Sequence, residues 1–128
     1  MVGIKYIFVI SFLIISCTTQ ADPFKWVDTI PDPWLLSETE FEFYLPQFHE
    51  RFPNYIDRLK ALNLWRVGTP YDLFCLGEES GKDNDPLLRA DSSDCTVHVL
   101  TTLAFAESFT WQNARDAMVD IHYKMDEN

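Results

Sequence analysis

Hydrophobic positions change their rhythm several times along this chain. Tyr6 to Ile15 is an apolar run broken only at Ser11. Thr18 to Ser37 has no period: Pro23, Pro31 and Pro33 interrupt Trp26, Trp34, Leu35 and Leu36, which predicts an irregular arm whose aromatic residues lie on something else. From Glu40 to Leu45 the pattern alternates, with Phe41, Phe43 and Leu45 on one side and Glu40, Glu42 and Tyr44 on the other. That is a strand period, in a segment short enough to be a helix start as well. Pro53 to Arg66 then shows helical spacing through Ile56, Leu59, Leu62 (or Asn63) and Trp65, with Pro53 in the first turn. Gly68 ends it and Pro70 forbids continuation. Cys75 to Ser93 has no period and reads as a loop. A second helix is expected from Asp94 or Cys95 to about Glu107, with Cys95, Val99, Leu103 and Ala106 on one face. A third is expected from Thr110 as N-cap to about Ile121, with Trp111, Ala114, Met118 and Ile121 as its stripe.

The first apolar run is too short to span a hydrocarbon core of roughly 30 Å as a helix, but it suits a signal-peptide core following Lys5. Ile14-Ile15-Ser16-Cys17 resembles a bacterial lipobox, in which a small residue precedes a cysteine that is lipidated after cleavage. The expected organisation is therefore a signal peptide over residues 1–16, an arm over 17–45 and a domain over 46–128. The expected location is the periplasm or the outer membrane, with Cys17 as lipid anchor. Cleavage after Ala21, giving a secreted protein, is the competing reading, and a lone membrane helix a third.

Composition narrows the partners. The 128 residues carry a formal net charge of -10. Such a chain lacks the basic surface that replaces counterions on nucleic acid, or that holds anionic lipid, so any membrane contact runs through the lipid anchor. With 47% hydrophobic and 15% aromatic residues it can bury a core, which excludes intrinsic disorder. There is no phosphate-binding glycine loop, no paired-cysteine zinc spacing and no His-Glu-x-x-His motif. Asp83-Asn84-Asp85 lacks the glycine and distal glutamate of a calcium loop. No metal and no cofactor are expected.

Cys95 is the sharpest chemical candidate. A cysteine in the first turn of a helix faces unpaired backbone N–H groups and the positive end of the macrodipole, which stabilise an attacking thiolate. The same groups can hold an oxyanion. Two other readings stand beside this one: a small buried residue on the core face, or a disulfide with Cys75 in an exported protein.

Linked motifs surround it. Gly68-Thr69-Pro70-Tyr71, Leu76-Gly77-Glu78, Asp83-Asn84-Asp85-Pro86-Leu87 and Arg89-Ala90-Asp91-Ser92-Ser93-Asp94-Cys95-Thr96 follow one another at close spacing. Over roughly residues 46–123 the chain resembles the N-acetylmuramoyl-L-alanine amidase-like family of unknown function, a branch of the NlpC-type, papain-like cysteine hydrolases. The resemblance implies an α+β fold of which this chain holds the helical N-terminal half, mostly α, with the sheet portion missing. It implies that Cys95 is the nucleophile and that Tyr71 lies beside it to orient substrate. Asp94 matches the acidic residue before the nucleophile, where helix capping is its simplest role. Arg89 and Asp91 would brace the motif loop as an ion pair. The implied partner is a peptidoglycan stem peptide or muropeptide.

The chain departs from that pattern at Val97-His98-Val99-Leu100, where the family has an aromatic residue, Val and Glu. It departs again in its base. A cysteine hydrolase needs an imidazole within hydrogen-bond reach of the thiol, oriented by a third polar group. The family takes that histidine from a strand after the two helices. Here His49 precedes Cys95 on a helical segment, His98 is expected at the surface or half-buried, and His122 closes the third helix. Two expectations follow: an exported amidase or endopeptidase truncated before its base, or a catalytically inactive surface lipoprotein or binding module derived from the same fold.

Overall fold

The structure, a computed structural model, describes residues 21–123. The leader, the lipobox and Cys17 lie outside those residues. Four helices carry the fold: α1 (Glu38–Arg51), α2 (Tyr55–Trp65), α3 (Cys95–Glu107) and α4 (Trp111–Met118). Two short 3-10 helices, Pro23–Thr29 and Pro33–Leu35, precede them, and a π turn, Val119–Tyr123, closes the series. Among the described residues there is no strand, and two isolated bridges, Tyr71 with Ser93 and Ser80 with Asp83, are the nearest approach to one. The described residues are mostly helical, as their periodicity indicates.

The alternating segment Glu40 to Leu45 is helix, not strand. The Glu40 carboxylate accepts both the backbone N–H of Ser37 (2.8 Å) and its hydroxyl (2.7 Å), which closes the first turn. Once that turn exists, Phe41, Leu45 and Phe48 fall on one face by the four-and-three spacing and are buried, while Phe43 points out, 67% exposed. Pro46 inside α1 removes one N–H from the ladder, yet the helix continues to Arg51. The alternation was too short to exclude this outcome, because one helical turn and two strand repeats share several positions.

Asn54, not Pro53, opens α2; its side-chain oxygen accepts from the N–H groups of Ile56 (2.9 Å) and Asp57 (3.2 Å). Ala61, Leu62 and Trp65 are buried, and Ile56 faces outward. Gly68, at φ +95, lets the chain leave the helix beneath Trp34, whose ring would stand 3.2 Å from any Cβ there.

The inner faces meet in an aromatic core. Phe41 packs on Trp65, Phe105 and Trp111 at ring-centroid distances of 5.6, 5.1 and 4.9 Å. Phe48 packs on Trp65 at 4.9 Å. The arm lies on this core as expected: Phe24 stacks on Phe52 and Trp26 meets Phe48 edge-on. Arg51 caps the outer face of Trp26 at 4.5 Å. Ala114 and Met118 carry α4 against the same core.

Of the face expected for α3, only Ala106 is fully buried and Leu103 half-buried. Val97, Thr101, Thr102, Ala104, Phe105 and Ala106 are buried, while Cys95 is exposed and Val99 is 55% exposed. The helix is apolar almost all round, so period alone could not choose its inner side. Two threonines can face inward because each finds a partner. Thr102 Oγ1 donates to the His98 carbonyl at 2.6 Å and accepts from Arg66, and Thr101 Oγ1 donates to the Arg89 carbonyl.

Candidate active site around Cys95

Cys95 is the first residue of α3 and Asp94 its N-cap. Asp94 Oδ1 accepts the N–H of Val97 at 2.8 Å, and Oδ2 accepts the N–H of Phe74 at 3.3 Å. These donors, the Val97 N–H first, hold the carboxyl below the usual carboxylate range. The capping role expected of Asp94 is present. The same side chain also fastens the Phe74 loop to the start of the helix.

Tyr71 reaches this place through backbone pairing. The Ser93 N–H donates to the Pro70 carbonyl (2.8 Å) and the Asp72 N–H to the Ser93 carbonyl (3.2 Å). The resulting parallel bridge sets Tyr71 opposite Ser93, two residues before Cys95. Tyr71 is 73% exposed. The backbone at Tyr71 is thus fixed to the strip of chain that leads into Asp94 and Cys95.

Cys95 is solvent-exposed, which sets aside its reading as a core residue. Cys75 is buried and both thiols are free, so the Cys75–Cys95 disulfide is not made. Cys95 Sγ lies 4.0 Å from Thr96 Oγ1, and these two residues border a shallow apolar hollow with Val99 and Leu100. Beside it is a cavity of about 400 Å³, lined by Phe74, Cys75, Leu76, Asp83, Asp94, Thr96, Val97 and His122.

The motif loop is braced as expected. Arg89 donates to both Asp91 carboxylate oxygens, at 2.9 and 2.8 Å, and to the Cys75 carbonyl at 2.9 Å. That pairing raises the affinity of Arg89 for its proton and lowers that of Asp91. Gly77 is required by contact: a Cβ there would fall 2.2 Å from Asp83 Oδ1. Glu79 accepts from the Leu87 N–H (3.1 Å) and pairs with Arg115 of α4, which ties the loop to the helices.

The three histidines separate. His49 donates from Nε2 to the Ser108 carbonyl (2.9 Å) and stacks on Phe109. Ser108 follows the last residue of α3, so His49 sits roughly 20 Å from Cys95 at 1.5 Å per residue. His98 is half-buried and pairs its Nε2 with Asn63 Oδ1 (3.0 Å). Burial lowers the proton affinity of both rings, and Arg66 adds to this at His98. His122 stands on the cavity wall with Asp94 and Thr96.

Two features have no marker in the sequence pattern. Phe74 is 85% exposed and holds φ +54, a left-handed conformation that bulky residues avoid. Arg66 is 1% exposed, with Nη1 donating to the His98 carbonyl (2.8 Å) and Thr102 (3.1 Å). Desolvation depresses the pKa of Arg66 to about 10. Set against known protein families, curated proteins and solved structures, the chain matches none.

Proposed function

We propose that this chain is the helical, nucleophile-bearing part of an exported papain-like (NlpC-type) cysteine hydrolase. It cleaves an amide bond in peptidoglycan stem peptides and is held at the membrane by a lipid on Cys17. The observation that carries this reading is an exposed cysteine as the first residue of a capped α-helix, with Tyr71 bridged to Ser93 two residues before it. The exposed thiol at that helix start is accessible to an amide carbonyl from solvent. Tyr71 orients the peptide. Asp94 keeps the turn and the Phe74 loop in register.

A second reading has its own support. Tyr71, Leu73, Phe74 and Val99 are all more than half exposed around Cys95, an apolar rim that suits a binding module without catalysis.

Thiol alkylation and hydrolysis separate the two. The enzyme predicts that Cys95 in the native protein alkylates faster than free cysteine, that Cys75 reacts after unfolding, and that purified muropeptides are cut in a Cys95-dependent manner. A Cys95 no faster than free cysteine, with muropeptides bound but intact, selects the binding module.

A further inference from the structure

We propose that the surface at the start of α3 docks a basic amphipathic segment of a partner protein, one that sets an apolar residue beside a lysine or arginine. The inference rests on the binding reading above and names its partner. Two hollows of about 400 Å³ each share Thr96. The first is apolar, bordered by Cys95, Val99 and Leu100 on the outer face of α3. The second has buried Cys75 and Val97 in its lining, together with Phe74, Asp83 and Asp94. One trough therefore passes from an apolar end to an end that carries two carboxylates and an aromatic ring.

Both ends are built to be covered. A helix that is apolar almost all round is ordinarily enclosed, yet α3 leaves Val99 55% exposed. Phe74 is 85% exposed although its backbone holds φ +54, and the Asp94 carboxylate keeps it there by accepting its N–H. An aromatic residue held out in solvent by a strained, tethered backbone loses little freedom on contact, which is the property of an interface anchor.

Charge selects the occupant. Asp72, Glu78, Asp83, Asp85 and Asp94 have no ion-pair partner among the described residues, and Lys82 is the one cation between Tyr71 and Asp94 outside an ion pair. The two carboxylates in the trough are fixed by backbone N–H groups. Asp83 Oδ1 accepts from Asp85 at 3.2 Å, Asp94 accepts from Val97 and Phe74, and each carboxylate keeps lone pairs for a further donor. An ammonium or guanidinium that reaches them can lay its aliphatic stem along Phe74. A second copy of this chain does not fit, because each carries a formal net charge of -10 and like rims would face each other. Anionic lipid and nucleic acid are repelled for the same reason.

The test measures binding of the full chain to a fluorescein-labelled amphipathic peptide of leucine and lysine, by anisotropy at near-physiological salt. Two controls replace its lysines by glutamate or its leucines by serine. The leucine–lysine peptide is expected to bind and both controls to fail. Asp83→Asn combined with Asp94→Asn, and separately Phe74→Gly, should each weaken binding about tenfold or more, with thermal melts to show that the variants are folded. Asp28→Asn combined with Glu50→Gln removes the same charge from the arm and α1 and should leave binding unchanged. Equal weakening by the two charge pairs overturns the proposal, since attraction to the whole chain then suffices. Phe74→Gly binding as tightly as the native chain, or the serine control binding as tightly as the leucine peptide, overturns it too. Muropeptides bound without any binding of the leucine–lysine peptide also overturn it, while the binding-module reading survives. If neither binds, the proposal and that reading fall together.

Discussion

Two sides of this molecule are made from the same kinds of residue and end in opposite states. Where the arm meets α1, α2 and the inner face of α3, Phe41, Phe48, Trp65 and Phe105 are at most 3% exposed. Around the start of α3, Tyr71, Leu73, Phe74 and Val99 are left in solvent. The first side is held by ring contacts. The second is held by hydrogen bonds: Ser93 donates its N–H to the Pro70 carbonyl, Asp72 to the Ser93 carbonyl and Phe74 to the Asp94 carboxylate. Burial of apolar area provides most of folding's driving force, whereas hydrogen bonds at a surface add little net stability but fix geometry. The difference assigns stability to one side and positioning to the other.

Mutations can break that division. The largest effect belongs to the core: Phe48→Ala is expected to cost about 3–5 kcal/mol in a denaturant melt, while Tyr71→Ala shifts the same melt by less than about 0.5 kcal/mol. Equal costs would dissolve the contrast. At the border between the two sides, Asp94→Ala removes an N-cap and frees the Phe74 N–H, for an expected loss of about 1 kcal/mol. Asp94→Asn keeps an accepting oxygen and should lose less than half as much while retaining hydrolysis. A hydrolysis defect in Asp94→Asn with unchanged stability would make Asp94 a proton-transfer group instead of a cap.

A smaller effect has the opposite sign. Phe74→Gly relieves a left-handed φ at an exposed position and is expected to raise stability by about 0.5–1 kcal/mol. The same change should weaken muropeptide turnover, since it removes an aromatic wall of the cavity. Higher stability with unchanged turnover would make Phe74 a bystander.

The gentlest test is pH. His49 and His98 both bind protons less readily in the folded state than the ordinary 6.5, with burial as the main cause. The unfolded chain therefore protonates first as pH falls through 6.5, and stability declines from there until the folded rings are also charged. Asp91, Asp94 and Glu79, all held below their ordinary values, add a second decline at pH below about 4.5. Thermal melts should show both steps, and His49→Gln should flatten the upper one. His49 lies by the core and not by Cys95, so this change should leave Cys95 labelling unaltered.

What could be read in advance follows from how local each cause is. Asp94 as a cap, Gly68 as a stop and the 75–93 loop are set by residues a few positions apart. Phe41 to Leu45 misled because two periods fit so short a segment, and the decision fell to a capping contact three residues long. The α3 stripe misled for another reason. Cys95, Val99 and Leu103 are as apolar as Phe105 and Ala106, and the inner face was chosen by where Arg66 and Arg89 offered partners to Thr102 and Thr101.

By itself, then, the sequence determined the helical content, the caps and breaks, the aromatic arm and the position of Cys95 at a helix start. Each depends on backbone chemistry within one or two turns. Tertiary structure alone decided which face of α3 is buried, that Cys95 is exposed and unpaired, that Phe74 stands strained in solvent, and that His122 shares a cavity with Asp94. Those outcomes depend on contacts between residues 12 or more apart, and no local period encodes them.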